Sequence, residues 1–295
     1  MTTLDVRSRE AAAPGPAPGR SRGAWAGRSL AMYVAGILLA GVTLVPLVYV
    51  IIGGFRTTAQ INDKPAALPN PWVTENYTAT LGSGSFWRQI WNSLLIAGIA
   101  TAVAVALGAL AAFALSRYTF RGREAIYTLF TIGLLFPIGV AALPLYLLLR
   151  QIGLLDNPLG VAIPEAAFAL PVTIVILRPF MREIPSELED AAVVDGATRF
   201  GFFWRILLPL SLPALTTVAV LAFVTSWNAY LLPLLVLSDP NEITLPLGVA
   251  QFSTEYTQDT ARIFAFTALS TVPALAFFVL AQRRIVGGLT GAVKG

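Results

Sequence analysis

The side chains that could do chemistry are concentrated in one short segment. Residues 188–209, LEDAAVVDGATRFGFFWRILLP, place Glu189, Asp190 and Asp195 between two long apolar stretches, and Gly196 follows at once. A short helix edged with acids suits non-covalent docking into a protein partner. A solvated loop stabilised by Phe and Trp at the membrane interface is an equally good interpretation of the spacing alone.

The composition excludes several classes of enzyme. No cysteine and no histidine occur in the 295 residues, which rules out thiol nucleophiles, Cys/His zinc sites, Ser-His-Asp triads and disulfides. Neither of the two lysines, Lys64 and Lys294, follows a glycine, so the phosphate-binding Gly-Lys-Ser/Thr sequence is absent. The sequence therefore predicts no catalytic residue, no metal site, and no ATP hydrolysis by a phosphate-binding loop within this chain.

The composition is typical of a membrane protein. Hydrophobic residues make up 56% of the chain and charged residues 12%, about half the charged share of a soluble domain. Six apolar runs are long enough to cross a bilayer of about 30 Å. They cover roughly residues 29–53, 91–115, 125–149, 159–180, 207–237 and 262–282. We expect an all-α membrane protein with six transmembrane helices.

Basic residues set the expected orientation. Segments 1–28, 116–124, 178–206 and 283–295 contain 15 of the 20 Lys and Arg residues, which by the positive-inside rule places them and both termini in the cytoplasm. The basic pI thus reflects topology, and no nucleic-acid partner is predicted. Residues 1–28 are rich in Pro, Gly and Ala, so we expect them to form a disordered cytoplasmic tail.

Two spans contain residues that are costly in lipid. Glu165 is the only carboxylate well inside a predicted span, so it either serves function or reaches back to the outer interface. Trp227, Asn228 and Tyr230 offer hydrogen bonds beside aromatic faces, as a sugar path requires. Asn228 could instead bond a neighbouring helix, and helix packing is the somewhat stronger alternative.

Other features predict how the spans pack. Span two is rich in Ala and Gly, which favours a position inside the bundle. Three spans contain prolines at which we expect breaks or kinks, namely Pro137, Pro144, Pro164, Pro171 and Pro213. Residues 54–90 and 238–260 form external connections, and the second contains Asp239, Glu242, Glu255 and Asp259 without a basic residue.

The acidic segment has clear helix signals. Ser186, with Glu189 three residues later, predicts a capping box that starts a helix over about 187–194. Gly196 should end it, because glycine turns there without steric penalty. A second short helix should then present Phe200, Phe203, Trp204 and Leu207 on one face.

The pattern Asp190-Ala191-Ala192, Gly196, Ile206 and Leu208-Pro209 closely resembles the E-A-A-x3-G-x9-I-x-L-P signature of ATP-binding-cassette (ABC) importer permeases. Every spacing matches, and Asp190 replaces the usual Glu. REIPSELEDAAVVDGA, TSWNAYLLPLLVL, EITLPLGVAQF and RRIVGGLTGAVKG are similar to the second permease subunit of the maltose-type sugar importers. That likeness covers about residues 86–295, although Ala229 stands where the family usually has an acid and the C-terminal motif is one residue short.

This resemblance implies the type I importer permease fold and a set of partners. They are a second permease subunit in a heterodimer, two cytoplasmic ATPase subunits that hold ATP and Mg²⁺, an external sugar-binding protein that meets residues 238–260, and membrane lipid. This chain would itself need no cofactor. The implied contacts with the ATPase are Ser186, Glu189, Asp190, Ala191, Ala192, Asp195, Gly196, Phe200 and, in the C-terminal tail, Lys294.

The resulting hypothesis is a permease subunit of a carbohydrate importer in the cytoplasmic membrane. Its expected parts are a tail (1–28), a first span and external loop (29–85), a transmembrane core (86–284) with a coupling segment (186–205), and a C-terminal tail (285–295). A stand-alone channel or secondary carrier is the alternative, but the single intramembrane carboxylate and the lack of histidine argue against proton coupling. A membrane scaffold would need neither broken spans nor the docking signature.

Overall fold

The computed structural model describes residues 22–253 and 258–292, with side chains over residues 32–253 and 258–280. Fourteen α-helices occur in these ranges. They are α1 Arg22–Gly53, α2 Thr58–Asp63, α3 Glu75–Gly82, α4 Gly84–Arg117, α5 Arg123–Gly133, α6 Ile138–Gln151, α7 Pro158–Glu183, α8 Glu187–Val194, α9 Arg199–Phe202, α10 Leu208–Leu210, α11 Leu212–Trp227, α12 Leu231–Val236, α13 Leu245–Gly248 and α14 Thr260–Ala292.

The chain divides into two units, residues 1–49 and 50–295. The first unit contains most of α1, whose large apolar side chains from Met32 to Tyr49 are exposed, as expected of a helix that faces lipid. This helix begins at Arg22, several residues before the predicted start of the first span. Residues 1–21 of the predicted tail lie outside the described ranges.

The six predicted spans correspond to six apolar segments, two of which are bent. Four helices, in α1, α4, α7 and α14, are each long and apolar enough to cross a membrane. Two helix pairs reach that length only together: α5 with α6, bent by 99°, and Arg199–Leu210 with Leu212–Trp227, bent by 76°. The predicted fifth span, residues 207–237, therefore changes direction at Ser211 and ends its long helix at Trp227.

Prolines explain both bends but leave one span intact. Pro137 lies directly before α6 and Pro213 lies in the first turn of α11, where each lacks the N–H that would continue the preceding helix. Of the breaks or kinks expected in the fourth span, no break occurs, because α7 continues as one helix through Pro164 and Pro171.

The core of the second unit is the pair α4 and α7, the most extensive helix pair in the described residues. Ala97, Ala100 and Ala104 of α4 are buried, as predicted for the small-residue span. A β-carbon built on Gly108 would overlap the methyl group of Thr173 in α7, so these backbones approach as closely as glycine allows.

The two connections predicted to be external contain more regular structure than the sequence indicated. Residues 54–90 contain α2, α3 and the first turns of α4, and buried Arg56 bonds backbone carbonyls, including that of Pro65 (2.9 Å). The segment after α12 contains α13 and a 3₁₀ turn, Val249–Phe252. Asn92 of α4 fixes it by donating to the carbonyls of Asn241 (2.8 Å) and Ile243 (3.1 Å).

Candidate functional site

The acidic segment forms a short helix at the predicted place. Helix α8 covers Glu187–Val194, and Gly196 then turns the chain with φ of 79°, a left-handed conformation that favours glycine. The predicted capping box is wrong, since the Ser186 side chain makes no capping hydrogen bond. Ser186 has helical backbone angles, and the Glu189 carboxylate faces Arg117 of α4 instead of the N-terminus of its own helix.

Arg117 holds this segment to the bundle. Its guanidinium, at the end of α4, donates to the carbonyls of Met181 (2.8 Å) and Ile184 (2.7 Å) at the C-terminus of α7. A carboxylate oxygen of Glu189 lies 4.0 Å from the same group, whose side chain is only 6% exposed. The end of α7 thus has hydrogen-bond donors for carbonyls that the helix itself cannot satisfy. We call residues 184–210 together with Arg117 the coupling region.

One side of the coupling region is buried and the other is exposed. Ala192 packs with Phe202, Phe203 and Leu207 in a cluster that includes Phe113 of α4. The prediction of one aromatic face is wrong, because Phe200 and Trp204 are exposed by 59% and 55% while Phe203 and Leu207 are buried. A π-helical turn at Phe203–Leu207 shifts the register and separates the two pairs.

The predicted ATPase-contact residues divide along the same line. Exposed members are Ser186, Asp190, Ala191, Asp195, Gly196 and Phe200, whereas Glu189 is half-buried and Ala192 is buried. Val193 and Val194, which the sequence analysis did not select, are exposed by 57% and 87% on the same short helix. Lys294 lies outside the described residues.

A second candidate site is a cavity of about 370 Å³ beside Glu165. Helices α7, α11 and α12 provide most of its wall, and most of the lining is apolar. We call this the Glu165 cavity. It is lined by Ala100, Ile138, Glu165, Phe168, Ala169, Val172, Leu221, Ala222, Thr225, Ser226, Ala229, Tyr230, Leu231 and Leu232.

The four residues predicted to line a sugar path lie in different surroundings. Glu165 and Tyr230 line the cavity, while Trp227 is 4% exposed and stacks on Phe223 away from it. Asn228 donates to the carbonyl of Val224 (2.8 Å) one turn earlier in its own helix. That local bond corresponds to neither predicted role of Asn228.

Several residues of these sites were missed from the sequence. Ser226 donates a hydrogen bond to Glu165, and Phe168 adds an aromatic face to the cavity. Arg178, which is buried in α7, donates to the carbonyl of Leu115 (3.1 Å), pairs with Glu124 and lies over the ring of Tyr127 at 3.9 Å. The available signal for Arg117 and Arg178 is their place near the end of an apolar span, which by itself indicates only the orientation of the span.

Two acids of the predicted external segment 238–260 are held by hydrogen bonds or an ion pair within this chain. Asp259 accepts from the Thr58 hydroxyl (3.0 Å) and pairs with Arg262 (3.3 Å), and Asp239 accepts from the Asn241 backbone (2.8 Å). Glu242 lies in the same segment, and Glu255 lies outside the described residues. Within the ranges that the structure describes, no three His, Cys, Asp or Glu side chains are grouped so that they could hold a metal.

Comparisons with known proteins agree with this architecture. The family described as "Binding-protein-dependent transport system inner membrane component" matches residues 104–289. The diacetylchitobiose uptake system permease protein NgcG of Streptomyces coelicolor is 33% identical over 86% of this chain and 85% of its own length. The trehalose transport system permease protein SugB of Mycobacterium tuberculosis is 36% identical over 88% of this chain and 95% of its own.

A solved structure has the same fold. A bacterial ABC transporter involved in the import of the acidic polysaccharide alginate contains a chain that matches with a TM-score of 0.75 at 24% identity, over 90% of this chain and 99% of that one. The chain thus belongs to the family of inner-membrane components of binding-protein-dependent transport systems, which is a family of transport permeases, and it is a multi-pass ABC transporter permease of the cytoplasmic membrane.

Proposed function

We propose that this chain is one of two permease subunits of an ATP-driven importer for a di- or oligosaccharide. The observation that carries the proposal is the coupling region, which is attached to α4 and α7 on one side and exposed on the other. The relatives named for diacetylchitobiose and trehalose support a sugar as the cargo. Both termini and the coupling region would lie in the cytoplasm, in keeping with the distribution of basic residues.

The exposed side of α8 has the chemistry of a docking surface. Val193 and Val194 present apolar area, while Asp190 and Asp195 provide charges at its edge. An apolar centre with a charged rim is typical of protein interfaces. A cytoplasmic ATPase subunit would seat this helix, and ATP and Mg²⁺ would bind only on that partner, because this chain has no phosphate-binding loop.

The attachment of α8 determines how motion would reach the spans. Arg117 connects the end of α4 with the end of α7, and the Phe202–Phe203 cluster fills the space below α8. When ATP closes the paired ATPase subunits, movement of α8 would carry α4 and α7 as one body. The path between the two permease subunits would then open alternately to each side, and an external binding protein would deliver the sugar.

Two substitutions at Gly196 test the docking role. Gly196→Val places a β-branched residue at φ of 79°, which is strained, whereas Gly196→Asn is tolerated in that conformation. The expected strain comes from the backbone conformation and not from a steric clash, because nothing lies within 4 Å of a β-carbon built at Gly196. We expect Val to reduce co-purification of the ATPase subunits and uptake of radiolabelled trehalose or N,N′-diacetylchitobiose, and Asn to retain most of both.

The assay requires the chain with its second permease subunit, ATPase and binding protein. Uptake and ATPase assembly that persist with Val at position 196 would refute the docking role of this segment. Uptake by this chain alone that does not need ATP would refute the importer assignment in favour of a channel or secondary carrier.

A further inference from the structure

Glu165 is a buried carboxyl group with an unfilled hydrogen-bonding position. The residue is 9% exposed, and one carboxylate oxygen accepts a hydrogen bond from the Ser226 hydroxyl. The other oxygen, Oε1, is buried and has no hydrogen-bond partner among the described residues. A buried polar atom without a partner costs about 1–3 kcal/mol, and more when it is charged. Such a group calls for an explanation, and a ligand that supplies the missing bond is one when the group faces a cavity, as Glu165 does.

The surroundings of Glu165 show which ligand would fit. None of the described residues that line the cavity is basic. On the same helix, Arg178 is roughly 20 Å away along the axis at a rise of about 1.5 Å per residue. An anion in this mostly apolar space would be repelled by the carboxylate and would find no positive group beside it. A hydroxyl or amide N–H can instead donate to Oε1.

The rest of the wall resembles a sugar subsite in its chemistry. Phe168 and Tyr230 present aromatic faces, against which the C–H face of a sugar ring can pack. Thr225 and Ser226 are also part of the wall, and the Ser226 hydroxyl donates to Glu165. Few polar groups in a largely apolar concave wall are characteristic of small-ligand sites.

We propose that the Glu165 cavity is a subsite of the transport path that binds uncharged sugar rings through Glu165 and selects against acidic sugars. The inference rests on the proposed import function and adds that this subunit itself contributes to the choice of substrate. Glu165 accepts a hydrogen bond from a sugar hydroxyl or acetamido N–H, and its charge excludes uronates.

A single introduced cysteine can measure the charge of the cavity, because the natural chain has none. Ala169→Cys lies on the cavity wall, one helical turn from Glu165. We would treat the purified full transporter with cationic aminoethyl and anionic sulfonatoethyl methanethiosulfonate and follow the mass of this chain. The ratio of the cationic to the anionic rate should fall on the order of tenfold when Glu165→Gln is added, because the negative charge is removed.

A matched control separates a local effect from a general one. Ala66→Cys, exposed between α2 and α3, should give the same ratio with and without Glu165→Gln. Neutral trehalose or N,N′-diacetylchitobiose should slow modification of the thiol at position 169 in the protein that has Glu165, and digalacturonate should not.

The possible outcomes are distinct from those of the import assay. An unchanged reagent ratio in the Gln variant, equal or sole protection by digalacturonate, or protection by none of the sugars would overturn the subsite. These rates are measured without transport, so they can fail while uptake and ATPase assembly persist. Conversely, if the Gly196 variants refute the docking role, the ratio of reagent rates at position 169 can still be measured and interpreted.

Discussion

The coupling region and the Glu165 cavity differ in how many partners their buried ionisable side chains have. In the coupling region, the guanidinium of Arg117 is shared between two carbonyls and the Glu189 carboxylate. In the cavity, the Glu165 carboxylate has one donor, Ser226, and its second oxygen has none among the described residues. Arg117 therefore has three partners although its Nε has none among the described residues, whereas Glu165 has a single donor. Because a denser network resists deformation more strongly, we expect the coupling region to be the more rigid of the two and the cavity to keep an open hydrogen-bonding position.

The largest expected effect comes from removing the Arg117 guanidinium. Arg117→Ala would leave the carbonyls of Met181 and Ile184 without donors and should lower the free energy of unfolding by about 3 kcal/mol. Chemical denaturation of the purified protein in detergent measures this.

Two variants identify the source of that loss. Arg117→Lys should retain part of the stability, because an ammonium can still donate to one carbonyl. Glu189→Gln should cost less than about 1 kcal/mol, because a 4.0 Å ion pair that is partly exposed contributes little. An Arg117→Ala protein as stable as wild type would mean that the two regions do not differ in rigidity.

A smaller effect is expected where α4 and α7 join the two regions. A methyl group at Gly108 would overlap Thr173, whose hydroxyl is fixed on the carbonyl of Ala169 (2.8 Å). Gly108→Ala should therefore destabilise the protein by about 2 kcal/mol through overpacking.

Gly98 in the same helix is the matched control, since nothing lies within 4 Å of a β-carbon built there. Gly98→Ala should be neutral or stabilise by about 0.5 kcal/mol, because alanine favours the helix. Equal effects at the two glycines would show that α4 and α7 do not move as one body.

The smallest expected effect concerns the connection that pins a wall of the cavity. Asp156, between α6 and α7, accepts hydrogen bonds from the backbone N–H groups of Ser238 and Asp239 (2.9 Å), just beyond α12. These bonds hold the pKa of Asp156 below its ordinary value. The carboxylate thus stabilises the fold above about pH 4, and this contribution is lost as the pH falls through the lowered pKa.

Asp156→Asn tests that contribution, because asparagine tolerates the φ of 52° at this position but carries no charge. The melting temperature of the variant should be slightly below wild type at pH 7, and the difference should shrink on acidification toward pH 3. A difference independent of pH would show that the charge plays no part in fixing α12.

The sequence predicted the helices better than it predicted the contacts. Apolar runs located all six spans, and the helix-start residues and the glycine of the acidic segment located α8 and the turn at Gly196, because these features are local. The roles of Glu189, Asn228 and Trp227 depend on what lies opposite them in space. The local sequence pattern predicted that Glu189 caps the N-terminus of its own helix. In the structure its carboxylate lies near Arg117 of α4 instead. Proline content predicted the bends near Pro137 and Pro213, but it does not explain why α7 continues through Pro164 and Pro171.

The central claim is that α8 is held by the bundle on one side and by an ATPase subunit on the other. The most direct test introduces Ala191→Cys, an exposed position on α8, into the cysteine-free chain and applies a short bifunctional thiol-to-photoreactive crosslinker in native membranes that contain the whole transporter. We expect a single major adduct with the ATPase subunit, and we expect the introduced thiol to be protected from membrane-impermeant thiol reagents added outside the cell. Labelling of that thiol from outside, or adducts that never include the ATPase although it is assembled in the membrane, would contradict the account.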